Sequence, residues 1–244
     1  KESATLNAVL VVVKMAALLM FIALSVPVID GARFEPFAPL GTPGIIGAAA
    51  SIFFAYVGFD AVSTAAEETK NPQRNLPIGL FGALIVCTVL YLLVAAGAIG
   101  AYGANPVFAA DGSVLSPGSA ALTARCAELA AAGNLPLACS GEALAHVLRS
   151  IGHGTAGNLL GLAVFVALPS VILTMIYGQT RIFFVMSRDG LLPTSLSRVH
   201  PRFQTPYVVT LVTGAGVIFG AAFFPVGKLA DISNSGTLFA FLMV

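Results

Sequence analysis

LNAVLVVVKMAALLMFIALSVPV, residues Leu6–Val28, is an apolar run interrupted by one charge, Lys14. About twenty such residues cross a hydrocarbon core, so the run predicts a transmembrane helix. Lys14 stands about 9 residues into it, about 13 Å deep at a helix rise of about 1.5 Å per residue. A charge at that depth is expensive and is kept by default for work in a polar cavity. The competing reading is an ammonium that snorkels to an interface, a long reach for one side chain from there. The functional reading is preferred.

The rest of the chain agrees with a lipid solvent. It is 57% hydrophobic and 9% charged, against roughly 25% charged residues in a soluble domain. Mean hydropathy is +0.93. The net charge of +1 leaves no basic face for nucleic acid. The chain begins Lys1-Glu2 and ends at Met243-Val244 inside an apolar stretch, which predicts a fragment of a longer polytopic protein. No Cys/His spacing suits a metal, and no cofactor motif appears.

Hydropathy marks spans at about 6–28, 44–66, 77–101, 156–186 and 206–224, and the start of another from about 232 to 244. Spans of this length must be helical, because lipid satisfies no open backbone group. The expected fold is therefore an all-α integral membrane protein. Segments 67–76 and 187–205 carry Lys70, Arg74, Arg188, Arg198 and Arg202. Positive short loops face the cytoplasm, so the first span runs outward and the long 103–155 segment is external. That segment predicts two short helices, about 119–132 ending at Gly133, and about 141–151 with Ser140 as N-cap, Glu142 in its first turn and Gly152 beyond. Cys126 and Cys139 either pair there or stay as two thiols; Cys87 is a small hydrophobe within a span.

The second span, GIIGAAASIFFAYVGFDAVSTAAEE, holds Gly58 and Asp60 at membrane depth. Two readings compete. A helix broken near Ala55–Gly58 and restarted near Asp60 would bare the carbonyls of Phe54, Ala55 and Val57 at the midplane, with Asp60 capping the second half. A continuous helix would use Gly58 for close packing. Glu67 and Glu68 at its end join either a cytoplasmic gate of ion pairs or a solvated helix end. Arg188-Asp189-Gly190 predicts a helix-ending turn. His146, His153 and His200 fall outside the spans.

FFAYVGFDAVSTAAEETKNPQRNLPIG, residues 53–79, resembles the sixth-helix signature of the amino acid–polyamine–organocation permeases, closest to their cationic amino acid transporter branch and its bacterial members. RIFFVMSRDGLLP, Arg181–Pro193, is similar to the segment that closes that family's eighth helix. The likeness covers essentially the whole chain. It implies the fifth to tenth helices of an inverted five-helix-repeat fold with a discontinuous sixth helix. It also implies that Phe54 lies against the substrate side chain while the Ala55 and Val57 carbonyls receive its ammonium. The glycine-rich first helix, which normally docks the carboxylate, is absent from this sequence. Lys14 matches the fifth-helix lysine of proton-coupled members, and Ser170 best matches its eighth-helix hydroxyl partner. Pro169 departs from the small or hydroxylated residue often found beside it, which puts the local geometry around Ser170 in question.

These implications converge on secondary active amino acid transport, proton-coupled and by alternating access, in a bacterial inner membrane. The partners are an amino acid, a proton and the bilayer. The oligomeric state is not legible. The rivals are an exchanger and a non-transporting amino acid sensor on the same fold. An intramembrane enzyme using Lys14 with Ser170 finds no motif to support it.

Overall fold

The computed structural model describes residues 2–59, 69, 71–103, 106–109, 111–115, 119–133, 135–201 and 205–243. Within them run α1 (Glu2–Ser25), α2 (Gly41–Ile52), α3 (Pro72–Tyr102), α4 (Ala120–Ala131), α5 (Ala143–Ser150), α6 (Gly154–Arg188), α7 (Tyr207–Phe223) and α8 (Val226–Met243). Among the described residues the β structure is one isolated bridge, Phe108 to Val114. Asn7–Val28, Pro72–Tyr102 and Gly154–Arg188 are long and apolar enough to cross a membrane; Gly41–Tyr56 and Tyr207–Phe223 are shorter apolar helices. Large apolar side chains such as Phe81, Leu92, Phe165 and Ile218 stand exposed, an arrangement that suits acyl chains and not water.

The chain divides into two compact units, Lys1–Ala50 with Val86–Leu168, and Ser51–Ile85 with Pro169–Val244. In the first, Phe21 of α1, Ala98 and Ala101 of α3, Ala145, Val147 and Leu148 of α5 and Leu160 of α6 form one buried cluster. Small residues on α3 let the chain after α1 come close. A Cβ on Gly97 would run into the Ser25 hydroxyl, and one on Gly100 would lie 2.8 Å from Ile29 Cγ2. The Asp30 amide completes the approach by donating to the Gly100 carbonyl at 3.0 Å.

Beyond α3 the chain builds a small cap. Ser119 caps α4, its hydroxyl accepting from the Leu122 amide at 3.1 Å. Cys126 and Cys139 form a disulfide with Cα atoms 5.4 Å apart, which settles the open question of their pairing. The second cap helix starts later than expected, at Ala143, and Ser140 does not cap it. Its hydroxyl accepts instead from the Glu142 amide at 3.3 Å, a local turn that competes with the helix for the same side chain. Past α5, Gly152 at φ +90° adopts the left-handed conformation that ends a helix cheaply only in glycine. The His153 amide then reaches back to the Leu148 carbonyl at 2.8 Å.

In the second unit, Arg188-Asp189-Gly190 ends α6 as its sequence predicts. Gly190 sits at φ +81°, and the Leu191 amide donates to the Met186 carbonyl at 2.9 Å. Pro169 lies inside α6, where it supplies no amide to the preceding turn. α8 begins at Val226 and takes in Lys228 and Asp231, before the apolar stretch that hydropathy marks from about 232. Hydropathy reports the lipid-facing portion of a helix, whereas Pro225 starts this one, its carbonyl accepting from the Leu229 amide at 3.2 Å.

Candidate functional site

The segment Ser51–Phe59 carries the main candidates. α2 stops at Ile52 and tightens into a 3₁₀ turn over Phe53–Tyr56. Val57 is extended, with ψ 129°, and Gly58 has φ +109°. A side chain at that φ is strained, so the glycine permits the turn. Helical backbone therefore does not continue through Gly58. The close-packing reading of Gly58 also has substance, since a Cβ there would lie 2.7 Å from Met175 Cε. Whether a second half-helix follows falls on Asp60 and its neighbours, which, with Glu67 and Glu68, lie outside the described residues.

One expectation needs correcting. The Phe54 carbonyl is not bare: it accepts from the Val57 amide at 3.2 Å, and the Tyr56 carbonyl accepts from Phe59 at 3.3 Å. The physical reason is that the helix ends through a 3₁₀ turn, which keeps i→i+3 bonds where an abrupt stop would lose them. Phe54 is 45% exposed as a residue and so open to contact.

Aromatic and polar groups of α8, which the sequence did not single out, complete this region. The Phe241 ring lies 6.4 Å from that of Phe53, at 89° to it, and 5.8 Å from that of Phe59. Asn234, 7% exposed, directs its Nδ2 to the Ser51 carbonyl at 3.5 Å. A polar amide inside the stretch SNSGTLFAFLM was the available signal for Asn234; nothing local distinguishes Phe241 from other span phenylalanines.

Ser170 belongs to the same unit, on α6, and is buried at 3% exposure. Its carbonyl accepts from the Thr174 hydroxyl at 2.9 Å. Lys14 belongs to the other unit, half-buried on α1. That unit also holds a cavity of about 560 Å³. Its wall includes Phe37, Leu40, Ile45, Val107, Leu122 and Leu137, and among the described residues supplies no charged group to orient a polar ligand. Among the described residues no group of His, Cys, Asp or Glu is placed to hold a metal.

The whole chain, residues 1–244, matches the family described as amino acid permease. The chain belongs to the amino acid permease family. It is thus an integral membrane protein. Relatives include the branched-chain amino acid permease BcaP of Bacillus subtilis (strain 168), 38% identical over all of this chain and 46% of its own length. The methylthioribose transporter of the same organism is 36% identical over all of this chain and 46% of its length. The chloroplastic cationic amino acid transporter 9 of Arabidopsis thaliana is 34% identical, again over the whole chain, and 37% of its length is covered. The permease chain thus spans less than half the length of these relatives.

Proposed function

We propose that this chain forms part of a secondary amino acid transporter that works by alternating access. The observation that carries this reading is the helix that ends inside an apolar span, at Tyr56–Gly58, in a member of a permease family. Interrupted helices present backbone dipoles to a substrate at the midplane of such transporters. In this reading the Ala55 and Val57 carbonyls receive the substrate ammonium, and the exposed Phe54 ring meets its side chain. Gly58 and Asp60 shape the break, and Glu67 and Glu68 gate the cytoplasmic end. The spans correspond to the fifth to tenth helices of the inverted-repeat fold.

Lys14 and Ser170 are the proton-coupling pair of this proposal. An ammonium whose oxygen partners are supplied in one conformation and withdrawn in the other ties proton binding to conformation, so a proton gradient drives uptake. The Cys126–Cys139 bridge supports an external cap, because disulfides persist in oxidising compartments. The two Bacillus subtilis relatives support a bacterial plasma membrane.

A second reading takes its support from the methylthioribose transporter, nearly as similar as BcaP. A neutral thio-sugar would use the Phe54 face without an ammonium. Uptake into liposomes bearing the full-length protein decides between them. Amino acid uptake that Ala55→Leu weakens, with insertion preserved, supports the main reading; uptake of methylthioribose alone overturns it. Binding without flux identifies a sensor, and uptake that requires internal substrate identifies an exchanger.

A further inference from the structure

We propose that Phe241 and Asn234 of α8 hold the α2 break in its open form, so that α8 positions the segment Phe54–Val57. The inference rests on the transport reading only for its effect on substrate; the positioning itself is a property of the fold. In an unbroken α-helix, residues 53 and 59 would stand about 9 Å apart along the axis and about 120° apart around it. One ring could not lie against both. Phe241 does, at 6.4 Å from Phe53 and 5.8 Å from Phe59, both within the range of favourable aromatic pairs. Its double contact therefore exists only in the broken conformation, and a group that binds one conformation and not the other shifts the balance towards the first.

Asn234 acts from the same stripe of α8. Positions 234 and 241 are separated by two helical turns and share a face. While Phe241 spans the break, Asn234 meets the last turn of α2, where carbonyls begin to lose their helical donors. Its Nδ2 supplies one to Ser51 at 3.5 Å. Met175 of α6 fills the space beside Gly58, so the segment is held from α8 and closed off from α6. The bonds inside it, at 3.2 and 3.3 Å, are long, and an outside brace is what such a turn requires.

Hydrogen exchange on the full-length protein in detergent, read by mass spectrometry, tests this without reference to any substrate. Phe241→Ala should speed exchange at the Val57 and Phe59 amides by about tenfold, with the α4 and α5 peptides unchanged. Phe241→Tyr, which keeps the ring, should stay near wild type. Where Phe241→Ala does not insert, Phe59→Ala removes the opposite half of the contact and is read in the same way. Unchanged or slower exchange over residues 53–59 overturns the proposal, whatever the protein carries. In transport, Phe241→Ala should raise KM by about tenfold while the maximal rate holds. An unchanged KM overturns the link to substrate. A wild-type protein that carries no amino acid defeats the transport reading and leaves the exchange result standing.

Discussion

The Tyr102 hydroxyl donates to the Leu135 carbonyl oxygen at 2.6 Å, tying the last residue of α3 to the cap just before the disulfide-bonded turn Leu137–Cys139. His146 Nε2 lies 3.1 Å from the same hydroxyl. A tyrosine has one hydroxyl proton, and Leu135 takes it. His146 must therefore donate, which places a proton on Nε2. Through this one side chain the end of α3 holds both the segment before the disulfide and α5, beside the apolar packing of α5 on α1 and α3.

Tyr102→Phe should cost about 1 kcal/mol, because it leaves a half-buried carbonyl and an imidazole N–H without this partner. Thermal unfolding of the full-length protein in detergent should show a fall of several degrees. His146→Ala added to Tyr102→Phe should cost little more, since both act through one network.

Gly97 tests the packing of α1 on α3. Gly97→Ala puts a methyl against the Ser25 hydroxyl, and overpacking of this kind costs about 1–3 kcal/mol. Ser25→Gly in the same chain should recover most of the loss. If the single and double variants unfold at the same temperature, the close approach carries no strain.

Much of this molecule was legible because lipid imposes simple rules. A run such as Leu6–Val28 has few alternatives to a helix, and Gly190 and Gly152 announced their helix ends. Ser119 was a readable cap, whereas Ser140 was not. Its hydroxyl accepts from the Glu142 amide in a local turn before the helix starts. The end of helical backbone at Gly58 was visible as one of two readings but not decidable, since a glycine serves a positive-φ turn and a close packing contact equally well; its φ of +109° shows the turn. Phe241 was invisible because its meaning lies in two partners, Phe53 and Phe59, remote from it in sequence. Pairing of distant residues leaves no local pattern.

The disulfide gives a direct test of sidedness. In intact cells an impermeant maleimide should leave Cys126 and Cys139 unlabelled until an impermeant reductant is added, and then label both. Labelling that requires broken cells would reverse the topology inferred from the loop charges.

Lys14→Ala should abolish accumulation driven by an inward proton gradient in liposomes, while substrate binding persists through other residues. Lys14→Met, which keeps most of the stem, should behave alike. A variant that still concentrates substrate in response to the gradient assigns Lys14 a structural role.

Asp111 supplies a pH-dependent turn in the cap. Its Oδ1 accepts from the Ser113 hydroxyl at 2.6 Å and from the Ser113 amide at 2.9 Å. The hydroxyl chiefly, and then the amide, hold this carboxyl below its ordinary value of 3.8. A depressed carboxyl stabilises its turn fully above the ordinary value and loses that effect as pH falls through the depressed one. The Ser113 amide, followed by NMR or by exchange corrected for intrinsic rate, should therefore loosen as pH falls below the ordinary carboxyl value. Asp111→Asn should remove that dependence.

The Cys126–Cys139 bridge joins two positions that are 13 residues apart, in the stretch between α3 and α6. With the cap external, as proposed, its thiols join only when that stretch has left the reducing side. In a cell making this protein, the bridge therefore works as a date stamp on biosynthesis. Chains pulse-labelled and trapped with an alkylating agent sort into those caught before α3 delivered its trailing segment and those caught after. The gel shift between reduced and oxidised forms then times the threading of a single hairpin, with no tag or probe added to the protein.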